Sequence, residues 1–412
     1  MITTSRQTAF EILYKIFYND AYSNLAIDNA LADIKEGKAF ITRLVYGVVE
    51  RKLTLDYFID KYCDKPKPKV LTILRMGVYQ LYFMDKVSSA AAIDESVKLA
   101  KAMGLAFYSK LINAVLHKID DNRISIDKIQ KEDIRYSVPL HLINMWKKAY
   151  GEVLVKNFLP ALNEKAPVFA VANTMFADSE ELQFEFSCED VQSELIDDIV
   201  EITSNIDIKR LNAFKNGLFH IEDLSCYQAV KALGVSENDT VIDVCSAPGG
   251  KAFTCAEMMN NNGKVIACDI YESRVNLIKQ GAERLELSCI TPLVNDALLF
   301  NESLPFADKI ICDVPCSGFG IIRRKPEIRY KNLDSIKELP GIQYRILDIA
   351  SKYLKDKGKI LYSTCTLNKR ENEQVVEKFI NNNQNYKVLE MKTIFPSVDG
   401  GDGFFYAVIE RN

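Results

Sequence analysis

Five short runs in the second half of the chain, each enriched in valine and isoleucine, restrict its fold more than any other feature. They are VIDVCS (241–246), GKVIACD (263–269), ITPLVND (290–296), DKIICDV (308–314) and GKILYST (358–364), and amphipathic stretches separate most of them. Apolar runs of this kind belong to strands covered on both faces by helices. The pattern predicts a doubly wound, Rossmann-like α/β domain whose core begins near residue 216.

The first 120 residues carry a different period. Segment 5–17 places Ala9, Phe10, Leu13, Ile16 and Phe17 on one helical stripe, with Thr3, Thr4 and Ser5 as candidate caps. Segment 70–84 repeats the stripe with Leu71, Leu74, Val78, Leu81 and Tyr82. Asp94 is a candidate opener for a further helix, and another is expected from about Phe107 to His117. Between two of the helices lies KYCDKPKPK (61–69), whose prolines break the helix. These features predict an all-α bundle. From about 125 to 215 the signal is mixed: Trp146 sits in a short helical stretch, PVFAVAN (167–173) alternates like a strand, and 189–201 reads as an exposed acidic helix. The expected organisation is therefore a helical domain over 1–128, a small α+β connector over 129–215 and the α/β domain over 216–412.

With 412 residues, 48% of them hydrophobic and 26% charged, the chain has enough apolar material for more than one core. A net charge of −4 means that contact with nucleic acid must come from local basic patches. Ten cysteines occur without a single CxxC pair, and none of the three histidines stands at zinc-ligand spacing, so no metal is expected. Neither a signal peptide nor an apolar run of bilayer length is found, which predicts a cytoplasmic protein with no membrane partner, and a monomer.

Open α/β sheets bind ligands at the carboxyl ends of their strands. The first run ends in Cys245-Ser246-Ala247-Pro248-Gly249-Gly250-Lys251, a glycine turn that lets the backbone approach a ligand. It is neither GxGxxG nor a P-loop. Acids close the next three runs: Asp269, Asp296 and Asp313. An isolated aspartate there is most often a helix cap. Three in succession suggest a nucleoside-containing ligand without a polyphosphate, which S-adenosyl-L-methionine satisfies.

Two cysteines share this edge: Cys316, in Asp313-Val314-Pro315-Cys316, and Cys365, in Ser363-Thr364-Cys365. Cys268 and Cys312 lie within apolar runs and are assigned to the core. Thiols here have a chemical use. Carbon 5 of cytosine is a poor nucleophile until a thiolate adds at carbon 6, breaks the aromaticity and leaves an enamine-like carbon 5 that can attack a sulfonium methyl. A second thiol could assist the final elimination, and a carboxylate near ring nitrogen 3, for which Asp313 is placed, would share a proton with the adduct.

The ordered motifs DVCSAPGGK, ACDIYESRV, the Asp296 segment, CDVPCSGFGIIRRKPEIRY and YSTCTLNKRENEQVV resemble those of the RsmB/Sun (NOL1/NOP2/Sun) family of RNA cytosine-C5 methyltransferases. RQTAFEIL, RLVYGVVERKLTLDYFI and LRMGVYQLYFM resemble the NusB-like RNA-binding domain. The resemblance implies a class I S-adenosyl-L-methionine-dependent fold, and the fusion points to the branch acting on 16S ribosomal RNA. It implies that Cys365 is the nucleophile and Cys316 the thiol that aids product release. It sets the cofactor against Cys245, Ser246, Ala247, Pro248, Gly249, Gly250 and Lys251, and against Asp269, Arg274, Asp296 and Asp313. Arg323, Arg324 and Lys325 form a basic cluster suited to RNA phosphates; otherwise they are a solvated charge run. Alternatives are a cytosine methyltransferase acting on transfer RNA, or a non-catalytic RNA-binding ribosome assembly factor. A DNA cytosine methyltransferase lacks room for its reading region, and a nicotinamide dehydrogenase lacks its GxGxxG.

Overall fold

The computed structural model describes residues 4–19, 23–32, 34, 36–397 and 400–412. Two units are present: Met1–Asn163 with Ile322–Lys331, and Glu164–Ile321 with Asn332–Asn412. The division falls at Asn163, and a short segment from far downstream belongs with the helices.

The first unit is helical. Of the candidate caps, Thr3 lies outside the described residues, and Thr4 does the capping. Its hydroxyl accepts from the Gln7 N–H, while the Gln7 side chain accepts from the Thr4 N–H. The helix Pro68–Phe83 is the centre of the bundle, because every residue from Thr72 to Leu81 is buried. The stripe read from the sequence is therefore only part of what it buries. Its buried Arg75 is matched by Asp56, which accepts from Nε at 2.6 Å and from Nη2 at 2.7 Å. Gly47, on the helix Lys38–Glu50, is required by close packing, since a Cβ there would stand 1.9 Å from the Tyr79 ring. The helix expected to open at Asp94 begins instead at Ser89, capped by Ser88; Asp94 is exposed within it and pairs with Lys98 at 2.8 Å. Trp146 is fully buried on the helix Leu140–Tyr150.

The downstream segment is tied in by its polar groups. Fully buried Arg329 donates through Nη1 to the carbonyls of Glu50 and Ser137 and to Asn163 Oδ1, and through Nη2 to the Leu162 carbonyl. The Tyr330 hydroxyl donates to the Val49 carbonyl at 2.9 Å, and Glu327 accepts from the Ser23 hydroxyl at 2.7 Å.

The second unit holds two sheets. Strands β1 (Phe169–Ala172), β2 (Ser193–Ile196), β3 (Ile199–Ile202) and β4 (Phe219–Ile221) form an antiparallel sheet in the order β2-β3-β1-β4. The acidic helix expected over 189–201 is corrected here: most of it is the β2–β3 hairpin. Asp197 takes a left-handed backbone (φ 50°) and turns the chain with Asp198, so that Ile196 pairs with Ile199. Buried Ile199, Val200 and Ile202 outweigh the flanking acids.

The larger sheet contains β5 (Thr240–Asp243), β6 (Lys264–Asp269), β7 (Ile290–Val294), β8 (Ala307–Asp313), β9 (Leu354–Thr364), β10 (Tyr386–Ile394) and β11 (Phe404–Arg411). Their order is β10-β11-β9-β8-β5-β6-β7. The five expected runs are the parallel part; β10 and β11 are antiparallel additions that the sequence reading did not include. From β5 the chain winds outward through β6 and β7, then returns to the other side of β5 as β8. The strand order reverses there, and the crevice at such a reversal is where open sheets hold ligands. Cys268 and Cys312 are fully buried in the core of this sheet. Among the described residues no helix is long and apolar enough to cross a membrane, and no group of three or more metal-ligating side chains occurs.

Candidate active site

The turn after β5 is built for close approach. Gly249 has φ 117°, and a Cβ on it would meet the Phe253 ring at 2.4 Å. The Ala247–Pro248 peptide is cis. Ser246 N–H donates to the Cys268 carbonyl at 2.7 Å, and Gly249 N–H to the Ser246 carbonyl at 2.8 Å, which pins the turn to the end of β6. The following helix starts at Gly250, where a Cβ would stand 2.9 Å from Glu222 Oε1.

Under this turn lies Asp243, fully buried at the end of β5. Its Oδ1 accepts from the Cys245 N–H at 3.3 Å. Asp243 Oδ2 and Ser246 Oγ are both buried with no hydrogen bond of their own. Burial, then the charge of Asp313, raises the Asp243 carboxyl to about 7. Buried polar atoms without partners are costly unless something else satisfies them.

The three strand-end acids stand differently. Asp269 Oδ1 accepts from the Tyr271 N–H at 3.1 Å, and its Oδ2 lies 3.7 Å from Arg274, whose guanidinium rests over the Tyr271 ring. Asp296 lies two residues beyond β7 and accepts from the Leu298 N–H at 2.9 Å. Each therefore also performs the local turn-forming task that the plain reading assigns to aspartate. Asp313 is held on both oxygens: Lys251 Nζ donates to Oδ2 and the Ser363 hydroxyl to Oδ1, both at 2.8 Å. Burial alone would lower the Lys251 ammonium, but Asp313 and the other acids around it more than reverse this, so it stays charged. The structure thus joins the glycine turn to the Cys316 loop through the Lys251–Asp313 pair.

The two cysteines meet. Cys316 Sγ and Cys365 Sγ are 3.2 Å apart at the ends of β8 and β9. The hydrogen bond to Cys365, reinforced by burial and nearby acids, pushes the Cys316 thiol well above its ordinary range. Cys316 therefore keeps its proton at neutral pH.

Behind the sulfurs lies a cluster to which the sequence reading assigned no role. Fully buried Glu371 accepts four hydrogen bonds: from Ser317 N–H at 2.8 Å, Ser317 O–H at 2.6 Å, Gln343 Nε2 at 3.0 Å and Asn368 Nδ2 at 2.7 Å. Because Ser317 spends its proton on Glu371, the Thr366 hydroxyl donates to Ser317 Oγ at 2.7 Å; it also accepts from the Phe319 N–H. Gln343 donates as well to the Pro315 carbonyl at 2.9 Å. In sequence, Asn368, Glu371 and Asn372 pass for solvated polar residues before a helix. The signal that could have found them is their place just after a strand end on the ligand-binding edge.

A second buried cluster supports the glycine turn from its helix. His220 Nδ1 is 3.2 Å from Glu257, and Nε2 is 3.2 Å from Thr254 Oγ, which donates to Glu222 at 2.5 Å. With the threonine proton spent, Nε2 must donate, and Nδ1 faces a carboxylate, so the ring carries both protons. Burial works against that charge, yet Glu257 and Glu222 raise His220 to about 9. Arg323, Arg324 and Lys325 lie half-buried in the segment that belongs to the helical unit.

A family model described as 16S rRNA methyltransferase RsmB/F matches residues 230–410, and one described as NusB family matches residues 3–121. A Bacillus subtilis (strain 168) protein named "Probable ribosomal RNA small subunit methyltransferase B" is 34% identical over 99% of both chains. The "Ribosomal RNA small subunit methyltransferase B" of Proteus mirabilis (strain HI4320) is 30% identical over 91% of this chain and 90% of its own. Among solved structures, "Crystal Structure of PH0851" matches 100% of this chain and 99% of that one with a TM-score of 0.83 at 24% identity, which is a likeness of fold. The N-terminal helices are accordingly NusB-like, the larger sheet is that of a Rossmann-like methyltransferase, and the chain belongs to the 16S rRNA methyltransferase RsmB/F family.

Proposed function

We propose that this methyltransferase moves a methyl group from S-adenosyl-L-methionine to carbon 5 of a cytosine in 16S ribosomal RNA through a covalent cysteine adduct. The observation that carries the reading is the pair of sulfurs 3.2 Å apart beside the Asp313–Lys251 pair at the strand-order reversal.

The residues present fit the cofactor. Gly249 and Gly250 let the turn pack directly on Phe253 and Glu222, where a Cβ would not fit, and Asp243 Oδ2 and Ser246 Oγ, buried without a hydrogen bond, offer polar atoms to the cofactor. Asp269 and Asp296, at the next two strand ends, suit ribose hydroxyls and the base. When bound, the cofactor supplies an electrophilic methyl group on a sulfonium sulfur.

The chain's own residues supply the rest. The Cys365 thiolate gives its electron pair to carbon 6, the ring electrons move toward nitrogen 3, which takes a proton from water, and the new N–H donates to the Asp313 carboxylate. Lys251 and Ser363 fix both Asp313 oxygens, so the acid needs no reorganisation at that moment. Carbon 5 then takes the methyl group. Water then takes the carbon 5 proton, the electrons of that C–H bond reform the carbon 5–carbon 6 double bond, the carbon–sulfur pair returns to Cys365, and nitrogen 3 returns its proton to water. Cys316, still protonated, donates to the departing sulfur and stabilises it. Arg323, Arg324 and Lys325 are assigned to RNA phosphates.

Radiolabelled methyl transfer to unmethylated small-subunit rRNA tests the reading. Label on cytosine carbon 5 is expected with the wild type. Cofactor binding with no label on rRNA would overturn the substrate and direct the test to transfer RNA.

A further inference from the structure

We infer that Glu371 is the positioning residue that sets the distance between the two sulfurs, by locking the Cys316 loop and the Cys365 loop onto one buried carboxylate. The inference rests on the two-cysteine reading of the site and names the group that makes it work.

A carboxylate has about four lone-pair sites, and Glu371 fills four. Two go to Ser317, the residue after Cys316; one goes to Asn368, three residues after Cys365; one goes to Gln343, which also holds the Pro315 carbonyl before Cys316. Thr366, the residue after Cys365, reaches the same centre through Ser317 Oγ. Each cysteine is thus bracketed by groups that end on Glu371. The carboxylate is itself anchored, because the Tyr362 hydroxyl, on β9, donates to the Glu371 carbonyl at 2.5 Å. The neighbouring Asn372 accepts from the Thr364 hydroxyl at 2.6 Å and donates to the Thr366 carbonyl at 2.8 Å.

This arrangement answers a problem of the chemistry. The β8 and β9 ladder fixes the strands only as far as Asp313 and Ser363. Both cysteines lie beyond that, on loop backbone held by the Gly320 N–H to the Cys365 carbonyl at 3.0 Å, and the side chains must fix the rest of the sulfur geometry. A donor to a departing thiolate must hold its distance within a few tenths of an ångström. An acceptor-only group facing four donors does this for both loops at once. An amide cannot, since its NH2 would face N–H and O–H donors.

The test uses the full-length chain with two readouts. The first, without RNA or cofactor, is the rate at which diamide joins Cys316 to Cys365. The two thiols lose two hydrogens to the oxidant, which becomes the hydrazine, and peptide mass spectrometry identifies the pair. The second is kcat and KM for S-adenosyl-L-methionine with unmethylated small-subunit rRNA. For Glu371→Gln, cross-linking at least ten-fold slower and kcat at least a hundred-fold lower are expected, with KM for the cofactor within two-fold. If Glu371→Gln does not fold, Ser317→Ala, which removes one of the four bonds, is expected to slow cross-linking three- to ten-fold. Cross-linking at the wild-type rate with unchanged kcat overturns the role, as does a parallel rise in KM, which marks a general loosening. A wild type that transfers no methyl group to RNA, beside a variant whose cross-linking is still slowed, overturns the cytosine reading and leaves the role of Glu371 standing.

Discussion

The turn after β5 and the paired loops after β8 and β9 lie on the same edge of one sheet, yet they are finished in opposite ways. Around the cysteines, four donors converge on Glu371, and both of its oxygens are filled. Under the glycine turn, Asp243 Oδ2 and Ser246 Oγ are buried without partners, and the carboxyl of Asp243 is raised to about 7. A region that must hold reacting atoms in place completes its own hydrogen bonds; a region that must receive a ligand leaves some for the ligand to complete. The Lys251–Asp313 ion pair joins the two regions.

The comparison can be broken at four points. The largest effect is expected at the preorganised side: Cys365→Ala should lower methyl transfer by roughly 10⁴-fold, while Cys316→Ala should accumulate a covalent RNA–protein band on a denaturing gel. Cys365→Ala retaining near-normal transfer would reverse the assignment.

On the ligand side, Gly249→Ala combines a left-handed backbone with a contact to the Phe253 ring, each costing about 1–2 kcal/mol. A rise in KM for S-adenosyl-L-methionine of roughly 100-fold is expected, with the diamide cross-linking of the two cysteines unaltered. Slowed cross-linking in this variant would show that the two regions are one mechanical unit.

The His220 cluster predicts a pH effect on stability. With a folded pKa near 9 against an ordinary 6.5, the charged ring contributes stability that is complete below about 6.5 and is lost as the pH rises through about 9. Chemical denaturation across that range should reveal a loss of roughly 3 kcal/mol in the wild type. His220→Gln should be less stable at pH 6 and should lack that slope.

The smallest effect concerns Asp243. Its carboxyl is half-ionised near pH 7, and the ionised form accepts hydrogen bonds from a ligand better. Cofactor affinity measured by calorimetry should therefore strengthen as the pH rises through about 7, by about ten-fold overall. Asp243→Asn should abolish the trend; a trend that persists would assign it to another group.

Much of this was legible in the residues alone. The runs at 241–246, 263–269, 290–296, 308–314 and 358–364 are β5 to β9, because strands covered by helices on both faces are largely apolar. The glycine turn and both cysteines were singled out by their position at strand ends. The acidic hairpin at 193–202 was hidden, because charge counting registers the flanking acids and overlooks a two-residue Asp197-Asp198 turn. Strand β11 was hidden because antiparallel pairing to β9 is a long-range choice that leaves no periodic mark beyond an apolar run near the end of the chain.

What the sequence determined by itself was the kind of chemistry: which residue types stand at which strand ends. Only the tertiary structure decided the distances that make the chemistry work. That Lys251 closes on Asp313, that Cys316 meets Cys365, and that Glu371 reaches back to Ser317 all depend on residues 49 to 62 positions apart in the chain. Local propensity cannot encode such meetings. They arise where the sheet brings the ends of β5, β8 and β9 side by side and burial makes each polar group find a partner.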